Sequence, residues 1–175
     1  MFIRQATDAD TAAIHALHTA AFRRHNAAGT AEIPEARLVG ELRADGDLIP
    51  ALSLVAERGG EVIGHACSSP GRVAGNAGAA VGFGPLGVLP EFQRSGAGSA
   101  LVHATLGAAN ALGYAAVVLL GDPKYYSRFG FVLASTLGIT PPTPEWAPHF
   151  QVRTLTTYTP SIHGPFRYSP AFDRL

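Results

Sequence analysis

The sequence predicts a mixed α/β domain, and three observations carry that expectation. The turn Arg58-Gly59-Gly60-Glu61 joins two runs of strand character, which makes them an antiparallel hairpin. The run Ala115-Ala116-Val117-Val118-Leu119-Leu120-Gly121 is apolar throughout, the pattern of a strand covered on both faces. A helical stretch separates it from an earlier apolar strand, so a crossover connection joins the two. A hairpin followed by crossover units implies a mixed sheet with helices on both faces.

The elements follow in order. Phe2-Ile3-Arg4 is a first short strand. Asp8 is placed to cap a helix over 10–24, where Ile14, Leu17, Ala21 and Phe22 recur at helical spacing. Pro34 suits the first turn of a second helix over 34–42, ended by Asp45-Gly46-Asp47. Leu52 to Glu57 alternates as a strand, and Val62 to Ser68 returns after the turn. Gly71 to Ala79 reads as a loop, with three glycines and an asparagine. Ala80 to Leu89 is a buried strand that Gly84-Pro85 interrupts, the mark of a bulge. A helix over 96–112 is closed by Gly113. After the apolar strand 115–121, Asp122-Pro123 opens a short helix through Ser127, and Phe131-Val132-Leu133 is another strand. Pro141-Pro142-Thr143-Pro144 is a stiff break with too little chain after it to build a second core. Phe150 to Thr156 is a late strand.

With 175 residues the chain is sized for one domain, 1–175. It carries 13 basic and 13 acidic residues, so no basic face for a nucleic acid is expected. Cys67 is the only cysteine, which excludes an intrachain disulfide and a thiolate metal cluster and fits a reducing compartment. No apolar h-region follows Met1–Gln5, and no apolar run approaches the ~20 residues of a membrane helix. The expectation is a cytoplasmic protein with no membrane contact. His15 and His18 stand three apart on the first helix without a third ligand, so they read as a solvated or half-packed face rather than a metal site. The other histidines, His25 among them, show no ligand spacing.

The chemistry concentrates between Phe83 and Val102. An apolar strand, Phe83 to Leu89, leads through Pro90-Glu91-Phe92 into Gln93-Arg94-Ser95-Gly96-Ala97-Gly98 and a long helix. A helix N-terminus carries unpaired N–H groups and partial positive charge, and two glycines let a bulky anion approach the backbone. The segment reads as a seat for a phosphate or pyrophosphate. It is not a dinucleotide fingerprint, because Leu101 stands at the third glycine position, and no Gly-Lys-Ser/Thr follows to make a P-loop.

This order, Leu-x-Val-x-Pro-Glu, an aromatic, then Gln-Arg-x-Gly-x-Gly, resembles the acetyl-CoA-binding motif of the GNAT superfamily of N-acetyltransferases. Leu119 to Phe131 resembles that family's Tyr-x-x-x-Gly-Phe end in the form of its YhbS-like bacterial branch, as does the tail Gly164 to Asp173. The resemblance implies the GNAT fold with a central splayed strand pair, and transfer of an acetyl group from acetyl-CoA to a primary amine by direct attack in a ternary complex. It implies that the pantetheine arm lies in the splay against Leu86, Gly87 and Val88. The pyrophosphate then rests on the amides of Arg94, Ser95, Gly96, Ala97, Gly98 and Ser99, with the Gln93 and Arg94 side chains beside it. Leu86 N–H matches the donor that polarises the thioester carbonyl. Tyr126, four residues before Gly130, matches the general acid for the leaving thiolate, with Tyr125 as the alternative if the short helix is rotated.

The base is open. The family's strand glutamate falls at Gly82. His65 is the nearest substitute by chemistry, unless it is a packed histidine; a water held by Ser68 and Ser69, or an amine that arrives neutral, would serve instead. Glu91 and Asp122 read as cap residues and Cys67 as core. Residues 10–48 and the 71–79 loop would shape the acceptor pocket. Phe166, Tyr168 and Phe172 suit either a homodimer seam or the domain's own core. The rival readings are a non-catalytic acyl-CoA-binding or sensing module and a plain interaction domain on the same scaffold.

Overall fold

The computed structural model describes residues 1–23 and 32–174. Arg24, the expected end of the first helix, and His25 lie outside the described residues. The chain folds as two compact units: Met1–Ser68, Gly84–Thr105 and Pro170–Leu175 make the first, and Ser69–Phe83 with Leu106–Ser169 the second.

In the first unit, β1 (Phe2–Gln5), β2 (Leu54–Arg58) and the opening half of β3 (Glu61–Val73) pair antiparallel, with Ile3 opposite Ala56 and Val55 opposite His65. Gly59 and Gly60 turn the hairpin at φ 61° and 84°, the two left-handed positions that a tight two-residue turn requires. Helices α1 (Thr11–Phe22) and α2 (Pro34–Ala44) pack on each other. Their apolar faces join Val55 and Cys67 in a core of Ile14, Leu38, Val39 and Leu42, closed by Ala171 from the tail. The start of α1 departs from expectation. A 3₁₀ turn, Asp8–Asp10, precedes it; Thr7 caps that turn, and Asp10 rather than Asp8 stands at the N-cap of α1. The Asp10 carboxylate accepts from Thr7 N–H at 2.7 Å and from the Arg4 guanidinium at 2.8 Å. Asp8 is exposed and accepts from Arg43 at 2.7 Å. The Arg4 hydrogen bonds outweigh the desolvation of Asp10 and hold its carboxyl well below the usual range.

In the second unit, the opening half of β4 (Asn76–Val88) pairs in parallel with β5 (Ala116–Leu120). β5 pairs antiparallel with β8 (Phe150–Thr154), and β8 with β6 (Val132–Leu133). β9 (Gly164–Arg167) pairs antiparallel with the end of β3 and parallel with β7 (Ile139–Thr140). Strands of both senses in one ladder set make the mixed α/β fold that the sequence predicts. The core gathers Val73, Ala80, Ala116, Val118, Ile139, Phe150, Val152 and Phe166. β7 and β9 carry no strand pattern in sequence because they are two and four residues long.

The segment 71–79 is not a loop. β3 runs on to Val73 and β4 begins at Asn76, joined by a tight turn at Ala74 (φ 48°) and Gly75 (φ 83°). Gly71 is glycine for another reason: a methyl group there would lie 2.7 Å from the Phe166 ring. Phe166 is fully buried and Tyr168 packs on the same core, while Phe172 packs on the core of the first unit. The tail aromatics line the chain's own core.

Candidate functional site

Two features of the first unit bear on the phosphate seat that the sequence predicts. The first is the approach to α3 (Ala97–Ala111). Ala100 N–H donates to Gly96 O at 2.9 Å, the first bond of the helix. Upstream of it, the six amides from Arg94 to Ser99 have no protein acceptor among the described residues. The loop that aims them is held by its own groups: Ser95 Oγ donates to Phe92 O at 2.6 Å and Gln93 Nε2 to Val88 O at 3.3 Å. Arg94 and Gly96 sit at φ 62° and 92°. A methyl group on Gly96 would meet nothing within 4 Å, so its glycine serves the backbone angle and an open approach. Ala97, Leu101 and Val102 are buried and anchor the helix. Gln93, expected beside the pyrophosphate, ties the loop back to the strand.

The second feature is the end of β4. Leu89 N–H donates to Ile63 O at 2.9 Å, so the odd-numbered residues here turn their main-chain groups toward β3. By strand alternation Leu86 and Val88 turn theirs to the opposite edge. In the second unit the parallel ladder runs from Ala80–Ala116 to Gly82–Val118 and stops, although β5 continues to Leu120. Gly84, at φ 141°, follows directly, and the Gly84–Pro85 peptide is cis. The Cys67 thiol donates to Gly84 O at 3.4 Å; burial pushes it up to about 12, so it is an inert core group as expected.

Tyr126 belongs to the second unit. Asp122 caps α4 (Pro123–Tyr126) by accepting Lys124 N–H at 2.9 Å, and a 3₁₀ turn, Ser127–Phe129, ends it at Gly130 (φ 80°). The Tyr126 ring lies over Gly121, where a methyl group would come within 2.5 Å of Cε2, and meets Phe131 at 5.7 Å. Burial first, and Tyr125 second, hold its phenol above the usual value. Tyr125 instead lies under the Arg128 guanidinium, 4.7 Å from the ring centroid.

The model of the acetyltransferase (GNAT) family matches residues 11–131, spanning both features and Tyr126. The chain belongs to the GNAT family. It is 41% identical over 142 residues to the uncharacterised N-acetyltransferase YhbS of Escherichia coli K12, covering 80% of this chain and 84% of that one. The crystal structure of E. coli YhbS in complex with CoA superposes with a TM-score of 0.87 at 38% identity, over 99% of this chain and 92% of that one. A GNAT acetyltransferase from Brucella melitensis in complex with acetyl-CoA gives 0.80 at 35% identity, over 98% and 97%.

For a GNAT chain, the base expected here needs correcting. His65 is fully buried, with Nδ1 2.8 Å from His18 Nε2 and Nε2 3.1 Å from Ser53 Oγ. Desolvation, with Arg43 behind it, lowers it to about 3. Both ring nitrogens are committed to buried neighbours, so it presents no base to an incoming amine. Gly82 cannot be regarded as a glutamate simply lost: a methyl group there would lie 2.6 Å from Tyr168 Cδ1, so the tyrosine ring fills the space a side chain would need. The Ser68 and Ser69 hydroxyls are buried without partners among the described residues. His18, read as part of a solvated or half-packed face, is fully buried. Its signal was its place four residues after Ile14 on the apolar stripe. Among the described residues no cluster of metal-binding side chains occurs, and no helix is long and apolar enough to cross a membrane.

Proposed function

We propose that this GNAT protein transfers an acetyl group from acetyl-CoA to a primary amine, with residues 1–175 acting as one catalytic domain. The observation that carries the reading is the run of six amides, Arg94 to Ser99, without protein acceptors at the start of α3. Such a run fits a diphosphate, since main-chain N–H groups bind it without a basic side chain and the helix dipole adds to the attraction. CoA in E. coli YhbS and acetyl-CoA in the Brucella protein support the same ligand here.

The chain's own groups then have distinct tasks. Arg94 to Ser99 hold the diphosphate, and the outward main-chain groups of Leu86 and Val88 bind the amide-bearing arm. Leu86 N–H also stabilises negative charge on the thioester oxygen as the amine attacks. The new C–N bond forms as the C–S bond breaks. Tyr126 gives its phenolic proton to the departing thiolate, and the proton released by the amine restores it. A phenol held above its usual value stays protonated at neutral pH, which suits a donor. Holding both reactants in one site lowers the entropic barrier. With no carboxylate at position 82, an amine that arrives neutral fits this site.

Free-thiol release from acetyl-CoA over a panel of amines tests the proposal. Release that depends on the amine is expected. CoA binding without release for any amine would assign the protein as a sensing module instead, and failure to bind CoA would leave an interaction domain.

A further inference from the structure

His18 is a buried imidazole to which the reaction assigns no task. It projects from α1 on the face of Ile14 and Leu17, and its ring stacks on Phe22 with centroids 5.9 Å apart. Its Nε2 joins a buried chain through His65 to Ser53. Its other nitrogen, Nδ1, has no hydrogen-bond partner among the described residues. It lies against β4 at Gly87, where a methyl group would sit 2.8 Å from Nδ1, 3.0 Å from His18 Cε1 and 2.9 Å from Leu17 Cδ2.

Two arrangements of protons complete the chain. In one, Ser53 donates to His65 and His65 to His18, which leaves the His18 Nδ1–H pointed at a CH₂ group. In the other, His18 Nε2–H donates to His65 Nδ1, His65 Nε2–H donates to Ser53 Oγ, and His18 Nδ1 carries no proton where it lies beside Gly87. A buried N–H without an acceptor costs more than an unprotonated nitrogen without a donor. The second arrangement is therefore the stable one, with both rings neutral and the chain directed from His18 to Ser53.

We propose that His18 is a positioning residue for acetyl-CoA. Its ring edge, anchored through His65 to Ser53, sets the depth of β4 at Gly87. That fixes the flanking main chain of Leu86 and Val88, which turns to the edge away from β3. The proposal rests on the cofactor reading above, in which those two residues bind the CoA arm. It also explains why residue 87 is glycine: the histidine edge occupies the space of a side chain.

Calorimetric titration with CoA tests it on the full chain, in wild type, His18→Leu, His18→Gln, Gly87→Ala and the double variant Gly87→Ala/His18→Ala. His18→Leu is expected to weaken binding about tenfold. His18→Gln, whose amide can still donate to His65, recovers most of that loss. Gly87→Ala weakens binding, and the double variant binds better than Gly87→Ala alone because the colliding ring is gone. Imidazole ¹⁵N spectra of wild type, which need no variant to fold, should show His18 Nδ1 without a proton and moving on addition of CoA. Equal affinity in folded His18→Leu, no recovery in His18→Gln, or a protonated Nδ1 insensitive to CoA would each overturn the proposal. Wild type that fails to bind CoA overturns the cofactor reading itself; wild type that binds with an unmoved His18 signal overturns only this one.

Discussion

Acid should destabilise this fold through its buried histidines, and the loss can be worked out. His65 is neutral in the folded chain with its pKa lowered to about 3 from 6.5, chiefly by burial. His18 is lowered in the same direction, also by burial, with His65 next. Above pH 6.5 folded and unfolded chains hold the same protons on these rings. Below 6.5 the unfolded chain binds more, so stability falls as pH falls, for His65 until the pH reaches about 3. For His65 alone the loss from pH 7 to 4.5 is roughly 2–3 kcal/mol, at about 1.4 kcal/mol per unit once below 6.5. His18 adds to it with the same sign. Asp10, held low by Arg4, begins to lose its contribution only as the pH falls through the ordinary carboxylate value of 3.8, below the pH 7 to 4.5 range. With an m-value of about 2 kcal/mol/M, His65 alone moves the urea midpoint by roughly 1 M. Urea unfolding followed by far-ultraviolet circular dichroism at pH 7, 5.5 and 4.5 measures it. His65→Asn keeps an acceptor for His18 but does not titrate, so its stability should fall less steeply, by about one proton's worth. Identical slopes in the two proteins, or a wild type that gains stability on acidification, would refute the reasoning.

Other outcomes follow from the same geometry. Tyr126→Phe keeps the ring over Gly121 but removes the proton donor, and should lower amine-dependent thiol release by about 10²-fold or more while CoA affinity stays within threefold. Gly82→Ala drives a methyl group into the Tyr168 ring, costing about 2 kcal/mol and lowering Tm by roughly 4–8 °C in scanning fluorimetry. Cys67, buried with its thiol pushed up to about 12, should resist an aromatic disulfide reagent in the folded protein and react at once in urea.

What was legible in the sequence is what local chemistry decides. The paired glycines at 59–60, the Asp122 cap and the Gly113 stop each act within a few residues, and each stands where expected. The α3 approach was also legible, since its amides follow from chain order alone. The rest depended on partners far along the chain. Gly71 read as a chain breaker, yet its reason is the Phe166 ring, so a hairpin passed for a loop. Gly82 likewise owes its identity to Tyr168, and Gly87 to His18. His65 looked like a base because imidazole titrates near neutrality; only its burial against His18 and Ser53 removes it from that role. Asp8 turns outward to Arg43, and the N-cap of α1 is Asp10, whose carboxylate is held by Arg4 from the strand end and by Thr7.

The central claim is that the amides from Arg94 to Ser99 receive the CoA diphosphate. Backbone amide spectra of the ¹⁵N-labelled chain, recorded as CoA is added, test it most directly. The account predicts the largest shifts at those six amides, with the Leu86 and Val88 amides moving at the same ligand concentration, and loss of the response in Gly96→Val. Saturable CoA binding that leaves Arg94 to Ser99 unmoved would contradict it.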